Sequence, residues 1–123
     1  MRAYATEEFY KAEYLGEKEP VISAGFPFYA RDASRVLDRY TFDRLKDRQK
    51  IPEAVQMCCC ELAEQIYRAT QEDTEIAGKT SERIGSYSVS FASPEEKEKL
   101  RASRKREIVM KWLGDTGLCY QGV

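Results

Sequence analysis

Three consecutive cysteines, Cys58, Cys59 and Cys60, are the residues whose type most directly suggests chemistry. A reactive thiolate needs a cationic neighbour or a helix N-terminus to lower its pKa. These residues instead fall about two turns inside a predicted helix, and Glu61 follows them. Successive helical positions point about 100° apart, so the three thiols are poorly placed to bridge one another. The pattern predicts cysteines packed in a core, whereas Cys119 is less constrained and could be a surface thiol without an activating neighbour.

The chain of 123 residues contains no histidine. This composition excludes Ser–His–Asp and Cys–His nucleophile activation, histidine general bases and histidine metal ligands. The cysteines lack the two separated pairs that a zinc site requires. No glycine-rich loop with a lysine and a Ser or Thr follows a strand, as a phosphate-binding loop would. We therefore expect no catalytic, cofactor-binding or metal site, and a protein that is not an enzyme.

A basic cluster, Lys99–Arg106, contains five lysine and arginine residues and has the residue types that contact phosphates. Glu95 and Glu98 precede it at the spacing of intrahelical ion pairs with Lys99 and Arg101, which favours a solvated helix face. The whole chain has 20 basic and 21 acidic residues, and this balance excludes a uniformly basic nucleic-acid binder. A small nucleic-acid-binding or regulatory module that uses this cluster remains the alternative function.

Hydrophobic periodicity and capping residues predict four helices that position these groups. They are Thr6–Leu15, Phe26 to about Thr41, Pro52–Glu72 and Pro94–Gly114. Ser93 and Glu96 form a capping box at the start of the last helix. The third helix carries the clearest core stripe, formed by Val55, Cys58, Cys59, Leu62, Ala63 and Ile66. Asp38 and Glu64 are expected on the solvent sides of the second and third helices.

Residues 77–92, between the third and fourth helices, lack a helical period. Tyr87, Val89 and Phe91 alternate with serines, which predicts a half-buried strand over 86–91, with Lys79–Ile84 as a weaker partner strand. An edge strand in a small helical domain must be covered, either by the domain's own helices or by exchange with a neighbouring copy. The sequence leaves both possibilities open. The predicted fold class is mainly α, a three- to four-helix bundle with a long C-terminal helix and a small β strand or hairpin inserted before it.

The composition, with 42% hydrophobic residues, predicts one folded domain over residues 1–116, followed by a C-terminal tail over 117–123. Charges interrupt the N-terminus before an apolar core could form, so no signal peptide is expected. No apolar run approaches the roughly 20 residues of a membrane span. The cysteine pattern is not a disulfide framework and suits a reducing cytoplasm.

Four stretches of the chain share their order and spacing with one family. They are Glu8–Tyr14, Tyr29–Phe42, Pro52–Tyr67, and the segment SERIGSYSVSF at 81–91 with the charged helix and the residues up to Val123 that follow it. Together they resemble small head–tail connector (adaptor, head-completion) proteins of tailed phages and prophages of Gram-positive bacteria. The segment at 81–91 is the most specific part of this resemblance.

The resemblance implies a structural subunit of the virion that is present in the bacterial host cytoplasm during assembly. Such adaptors form a homo-oligomeric ring beneath the portal protein and link it to the stopper or tail-completion protein. DNA only passes through the channel, so neither sequence-specific binding to nucleic acid nor membrane contact is expected. The expected oligomer interface is Ser81, Arg83, Ile84, Tyr87, Val89 and Phe91. The expected partner-docking residues are Trp112, Leu118, Tyr120 and Val123.

Overall fold

The computed structural model describes residues 3–82 and 93–119, with side chains at 3–74 and 93–119. In this described part all regular secondary structure is helical, and no strand occurs. In chain order the elements are α1 (Glu7–Phe9), a π-helical turn (Tyr10–Tyr14), α2 (Phe26–Tyr40), α3 (Glu53–Glu82) and α4 (Pro94–Leu113). The predicted mainly α fold is confirmed.

Helix α3 is the central element, because three other parts of the chain pack on different sides of it. Cys59 Sγ lies 3.7 Å from Ser34 Oγ of α2, and Cys58 Sγ lies 4.0 Å from the carbonyl oxygen of Ile108 in α4. On a third side, Glu64 accepts a hydrogen bond from the π-helical turn. At about 100° per residue, these three positions of α3 are separated by roughly 100–140° around its axis.

The predicted core stripe of α3 is confirmed. Val55, Cys58, Cys59, Leu62 and Ala63 are fully buried, and Ile66 is partly buried against the same core. Cys60 is fully buried as well, so all three consecutive cysteines lie in the interior and not only the two on the stripe. Free cysteine is among the most frequently buried residue types and packs as a small apolar side chain.

Helix α3 continues beyond the predicted end at Glu72, as far as Glu82. Lys79–Glu82, predicted to begin a partner strand, is therefore helical, and that part of the hairpin prediction is wrong. Within this helix the hydroxyls of Thr70 and Thr74 each donate a hydrogen bond of 3.0 Å to the carbonyl oxygen four residues earlier. The predicted strand over 86–91 lies outside the described residues.

The N-terminal helix begins where its cap predicts, since Thr6 Oγ1 accepts a hydrogen bond of 3.1 Å from the Phe9 amide. It then widens into the π-helical turn, in which the Leu15 amide donates to the Tyr10 carbonyl at 2.9 Å. The rings of Tyr10 and Tyr14 stack with their centroids 5.8 Å apart, so both hydroxyls can reach the same side of α3. A π-helix is rare and appears mostly as a single turn of this kind next to α-helical residues.

Helix α2 has the predicted start and end, and its buried face includes Ala33 and Leu37 as predicted but extends to Ser34 and Asp38. Its buried residues are Phe26, Ala30, Ala33, Ser34, Leu37 and Asp38. The helical period of the sequence predicts a core face formed by Tyr29, Ala33, Val36, Leu37 and Tyr40. Of these, Tyr29, Val36 and Tyr40 pack against the core but are only partly buried. Asp38 was expected on the solvent side, and that prediction is wrong because a partner from the N-terminus covers it.

Helix α4 starts at its predicted cap and is anchored mainly by its second half. Ser93 Oγ accepts a hydrogen bond of 3.2 Å from the Glu96 amide. Its fully buried residues are Val109 and Leu113, whereas most side chains of the first half are exposed. Among the described helices, none combines the length and apolarity needed to cross a membrane.

Candidate functional site

Burial holds the three core cysteines in the thiol form. It raises the pKa of Cys59 to about 11, although a hydrogen bond with Ser34 partly opposes the effect. Burial also raises the pKa of Cys58 and Cys60 well above the usual range. Only a deprotonated thiol is a good nucleophile or metal ligand, so this arrangement favours packing over chemistry. In the described part of the chain, no group of three or more His, Cys, Asp or Glu residues could hold a metal ion.

A buried carboxylate, Glu64, joins α3 to the π-helical turn. The hydroxyl of Tyr10 donates to Oε2 at 2.9 Å and that of Tyr14 donates to Oε1 at 3.2 Å, while the Ile22 amide donates to the Tyr10 oxygen at 3.1 Å. Burial raises the pKa of Tyr10 to about 12 and also raises that of Tyr14, so both hydroxyls keep their protons at neutral pH. The solvent-facing position predicted for Glu64 is wrong, because these donors satisfy both oxygens inside the fold.

A second buried carboxylate, Asp38, ties the N-terminus to α2. Its Oδ1 accepts a hydrogen bond from the hydroxyl of Tyr4. The Tyr4 amide donates to Ser34 Oγ at 2.9 Å, and that hydroxyl donates to the Ala30 carbonyl at 2.7 Å. The N-terminal segment is therefore bound to α2 and α3 by tyrosine–carboxylate pairs. These pairs lie in the interior, which indicates a role in fixing the helices and not in binding a ligand.

The ends of α3 and α4 farthest from the core run together as an antiparallel pair, here called the helical arm (Arg68–Glu82 and Pro94–Glu107). Arg101 braces it: its guanidinium donates to both carboxylate oxygens of Asp73, at 2.9 and 3.1 Å, and to the Ala69 carbonyl at 3.4 Å. The hydrogen bonds from Arg101 lower the pKa of the Asp73 carboxyl. Arg101 therefore joins the two helices of the arm through a bidentate contact with Asp73 at the surface.

The basic cluster Lys99–Arg106 does not act as a single charged face. Arg101 turns towards α3 and is also 3.7 Å from Glu72, so the predicted pair with Glu98 on its own helix is replaced by contacts across the arm. Lys105 is partly buried. The other three basic residues of the cluster are exposed.

A cleft of about 320 Å³ opens between α2 and the arm. Arg39 and Lys105 line it, and so do Asp73 and Glu98. Because both signs of charge face this cleft, its composition does not favour one class of ligand.

Trp112, predicted to dock a partner, anchors α4 to α3. Its indole N–H donates to Glu61 Oε1 at 2.9 Å, and Lys111 Nζ lies 2.6 Å from the same oxygen. The Lys111 ammonium also lies 5.3 Å from the centre of the indole ring. Trp112 is only partly buried, so one part of its ring holds the helices together while another part still reaches solvent.

Leu118, also predicted to dock a partner, packs into the core of its own chain and is 6% exposed. The Arg44 guanidinium donates to the carbonyl oxygens of Gly117 and Leu118, both at 3.1 Å. Leu118 is therefore not displayed to a partner while Arg44 holds this segment.

The remaining predicted interface residues lie mostly beyond the described part of the chain. Ser81 lies at the end of α3. Arg83, Ile84, Tyr87, Val89 and Phe91, together with Tyr120 and Val123, fall outside the described residues.

Comparison with known protein families, with curated proteins and with solved structures finds no match to this chain.

Sequence reasoning missed three residues that organise the structure: Asp38, Arg44 and Glu64. Tyr4 and Tyr10 were a signal that two acidic residues would be buried. A buried tyrosine usually needs a hydrogen-bond partner for its hydroxyl, and Asp38 and Glu64 are those partners.

Proposed function

We propose that this chain is a structural head–tail connector subunit of a tailed phage or prophage. It assembles with copies of itself into a ring beneath the portal protein and joins the portal to the stopper or tail-completion protein. It acts in the virion and is present in the host cytoplasm during assembly. DNA passes through the ring without sequence-specific contact.

The helical arm is the observation that carries this proposal. The segment SERIGSYSVSF, the most specific part of the family resemblance, begins at the end of α3 and occupies most of the connection to α4. Arg101 and Asp73 pair the two helices of the arm, nine residues before the end of α3 and seven residues after the start of α4. A ring subunit needs a surface that meets a different surface on its neighbour, and a segment carried on such an arm is well placed to provide one.

The core chemistry supports a structural role. The buried thiols keep their protons. Each buried carboxylate accepts a hydrogen bond from a tyrosine hydroxyl. Within the described residues, no buried side-chain nitrogen or oxygen lacks a hydrogen-bond partner. These buried groups stabilise the packing of the helices. The exposed charged side chains of the arm are available for contacts with other proteins.

The test uses portal complexes of the phage or prophage that encodes the chain. Wild-type protein should add a ring of density to the portal in electron micrographs. Val89→Pro should reduce incorporation, because proline removes a backbone N–H and fixes φ, and edge pairing uses backbone groups. Val89→Ala is the matched control and should still assemble, since it keeps the backbone N–H.

Two outcomes would contradict these statements. If the wild-type protein adds no density to the portal, the connector function is wrong. If Val89→Pro keeps its helical circular dichroism and assembles as well as Val89→Ala, the segment at 81–91 is not the subunit contact.

The alternative, a nucleic-acid-binding module, depends on Lys99, Arg104 and Arg106, which are exposed on α4. Glu95, Glu96, Glu98 and Glu107 flank them and weaken the local positive potential. The connector proposal therefore predicts no sequence-specific duplex binding. A sub-micromolar, site-specific affinity at physiological salt would favour the alternative instead.

A further inference from the structure

The turn after α2 presents an aromatic side chain on an unusual backbone. Phe42 and Asp43 have φ values of 55° and 61°, in the left-handed region that non-glycine residues seldom adopt. The Phe42 side chain is nevertheless 44% exposed, so burial of the ring is not what holds this conformation. Backbone strain of this kind persists only where the surrounding structure maintains it, and it concentrates at functional positions.

Neighbouring groups hold this turn in place. The Asp43 amide donates to the Asp38 carbonyl at 2.9 Å, and the Arg44 amide donates to the Thr41 carbonyl at 3.1 Å. The Arg44 guanidinium lies 5.5 Å from the centre of the Phe42 ring while it also holds the carbonyls after α4. One face of the ring is therefore supported from within the chain, and the ring is left projecting from the surface.

A cleft of about 610 Å³ lies where the N-terminal helices meet the start of α3. Its apolar lining comes from Phe9, Ile51 and Pro52, and polar groups are contributed by Glu13, Lys50, Glu53 and Gln56. Clefts of this size accommodate groups at least as large as an aromatic side chain.

The projecting ring and the cleft lie on different sides of α3. Glu53 lines the cleft on the side of α3 that also carries Glu64, and Gln56 lies between that side and the side of Cys59. Arg44, which supports the ring, instead holds the segment after α4, and α4 packs on the side of Cys58. A contact between two such separate surfaces joins copies head to tail, as ring closure requires.

The segments that carry the two surfaces have opposite charge. Residues 39–49, around the projecting ring, contain four basic and two acidic residues, whereas Lys50 lines the cleft itself. Residues 7–19, beside the cleft, contain five acidic and two basic residues. All but one of these charged side chains are exposed. Complementary charge steers association and fixes the orientation in which two copies meet.

We propose that Phe42 of one subunit docks into the cleft lined by Phe9, Ile51 and Pro52 of the next copy. This inference rests on the proposed ring assembly and adds to it a contact between the helical cores, separate from the arm. The apolar ring fills the cleft, and the oppositely charged segments meet around it.

Phe42→Asn tests the contact without disturbing the fold. Asparagine tolerates a positive φ better than phenylalanine, so the urea midpoint should be unchanged or higher. Incorporation into portal-bound rings should nevertheless fall at least tenfold, because the apolar ring is lost. Phe28→Asn is the matched control: Phe28 is 57% exposed, lies outside the proposed contact, and its loss should leave incorporation at the wild-type level.

Cross-linking tests the direction of the contact. In a Cys119→Ser background, the double variant Lys46→Cys with Gln56→Cys keeps Phe42 and places one thiol on the exposed turn beside the ring and the other at the cleft. It should give a ladder of linked subunits when portal-bound rings react with a bis-maleimide. An equimolar mixture of the two single variants should give dimers and no longer products, because each chain then offers only half of the contact.

The outcomes separate this contact from the function on which it rests. If wild-type rings form but Phe42→Asn assembles normally, or the double variant stays monomeric after cross-linking, the contact is wrong and the connector function stands. If wild-type protein forms no ring on the portal, the connector function fails and the proposed contact fails with it.

Discussion

The hydroxyl of Tyr10 donates a hydrogen bond of 2.9 Å to Glu64, a residue 54 positions later in the chain. The same oxygen of Tyr10 accepts from the Ile22 amide at 3.1 Å. One hydroxyl thus links the N-terminal segment, the loop before α2 and the central helix.

Tyr10→Phe should lower the free energy of unfolding by about 1–3 kcal/mol, because it leaves the Ile22 amide without its acceptor and removes one donor from Glu64. Urea denaturation measures the change. Tyr40→Phe is the matched control, since the Tyr40 hydroxyl makes no hydrogen bond to a described residue. Equal midpoints for the two variants would show that the buried network contributes little.

Leu62→Ala should lower the free energy of unfolding by about 2–5 kcal/mol, the usual result of a cavity at a fully buried leucine. Leu100→Ala provides the comparison on the arm, where the side chain is 51% exposed, and it should change stability by no more than about 0.5 kcal/mol. Similar effects from both substitutions would mean that α3 is not the centre of the core.

Ser93→Ala should reduce the stability of the start of α4 by ~1 kcal/mol, because the Glu96 amide loses its acceptor. Hydrogen exchange at that amide should become faster. Ser103→Ala, at an exposed position inside the same helix, should leave the exchange at Glu96 unchanged. The cap would have no role if Ser93→Ala left this exchange rate at the wild-type value.

Stability should decline at alkaline pH. Burial raises the pKa of Cys59 from 9.0 to about 11 and that of Tyr10 from 10.0 to about 12, so the folded state keeps protons that the unfolded chain releases. The contribution of these groups is complete below pH 9.0 and is lost as the pH rises through about 11 and 12.

Urea midpoints measured from pH 8 to about 11 test this decline, with the window taken from the two raised pKa values. Cys59→Ala should be less stable than wild type at neutral pH but should show a shallower decline above pH 9.0. A wild-type midpoint that stays constant or rises across this window would contradict the prediction.

Local sequence alone determined where helices begin. Thr6 and Ser93 each accept a hydrogen bond from an amide three residues later, so a cap depends only on residues that are adjacent in the chain. The core stripe of α3 was equally predictable, because a helical period places Val55 and Leu62 on one face regardless of what covers it.

Only the tertiary structure decided which polar residues are buried and which partners they take. Asp38 and Glu64 look like solvent-facing acids, but their tyrosine partners come from 34 and 54 positions away. Arg101 likewise pairs with Asp73 on α3 and not with Glu98 on its own helix. A local pattern cannot include a donor that folding brings from another element, and a carboxylate becomes stable in the interior only once that donor arrives.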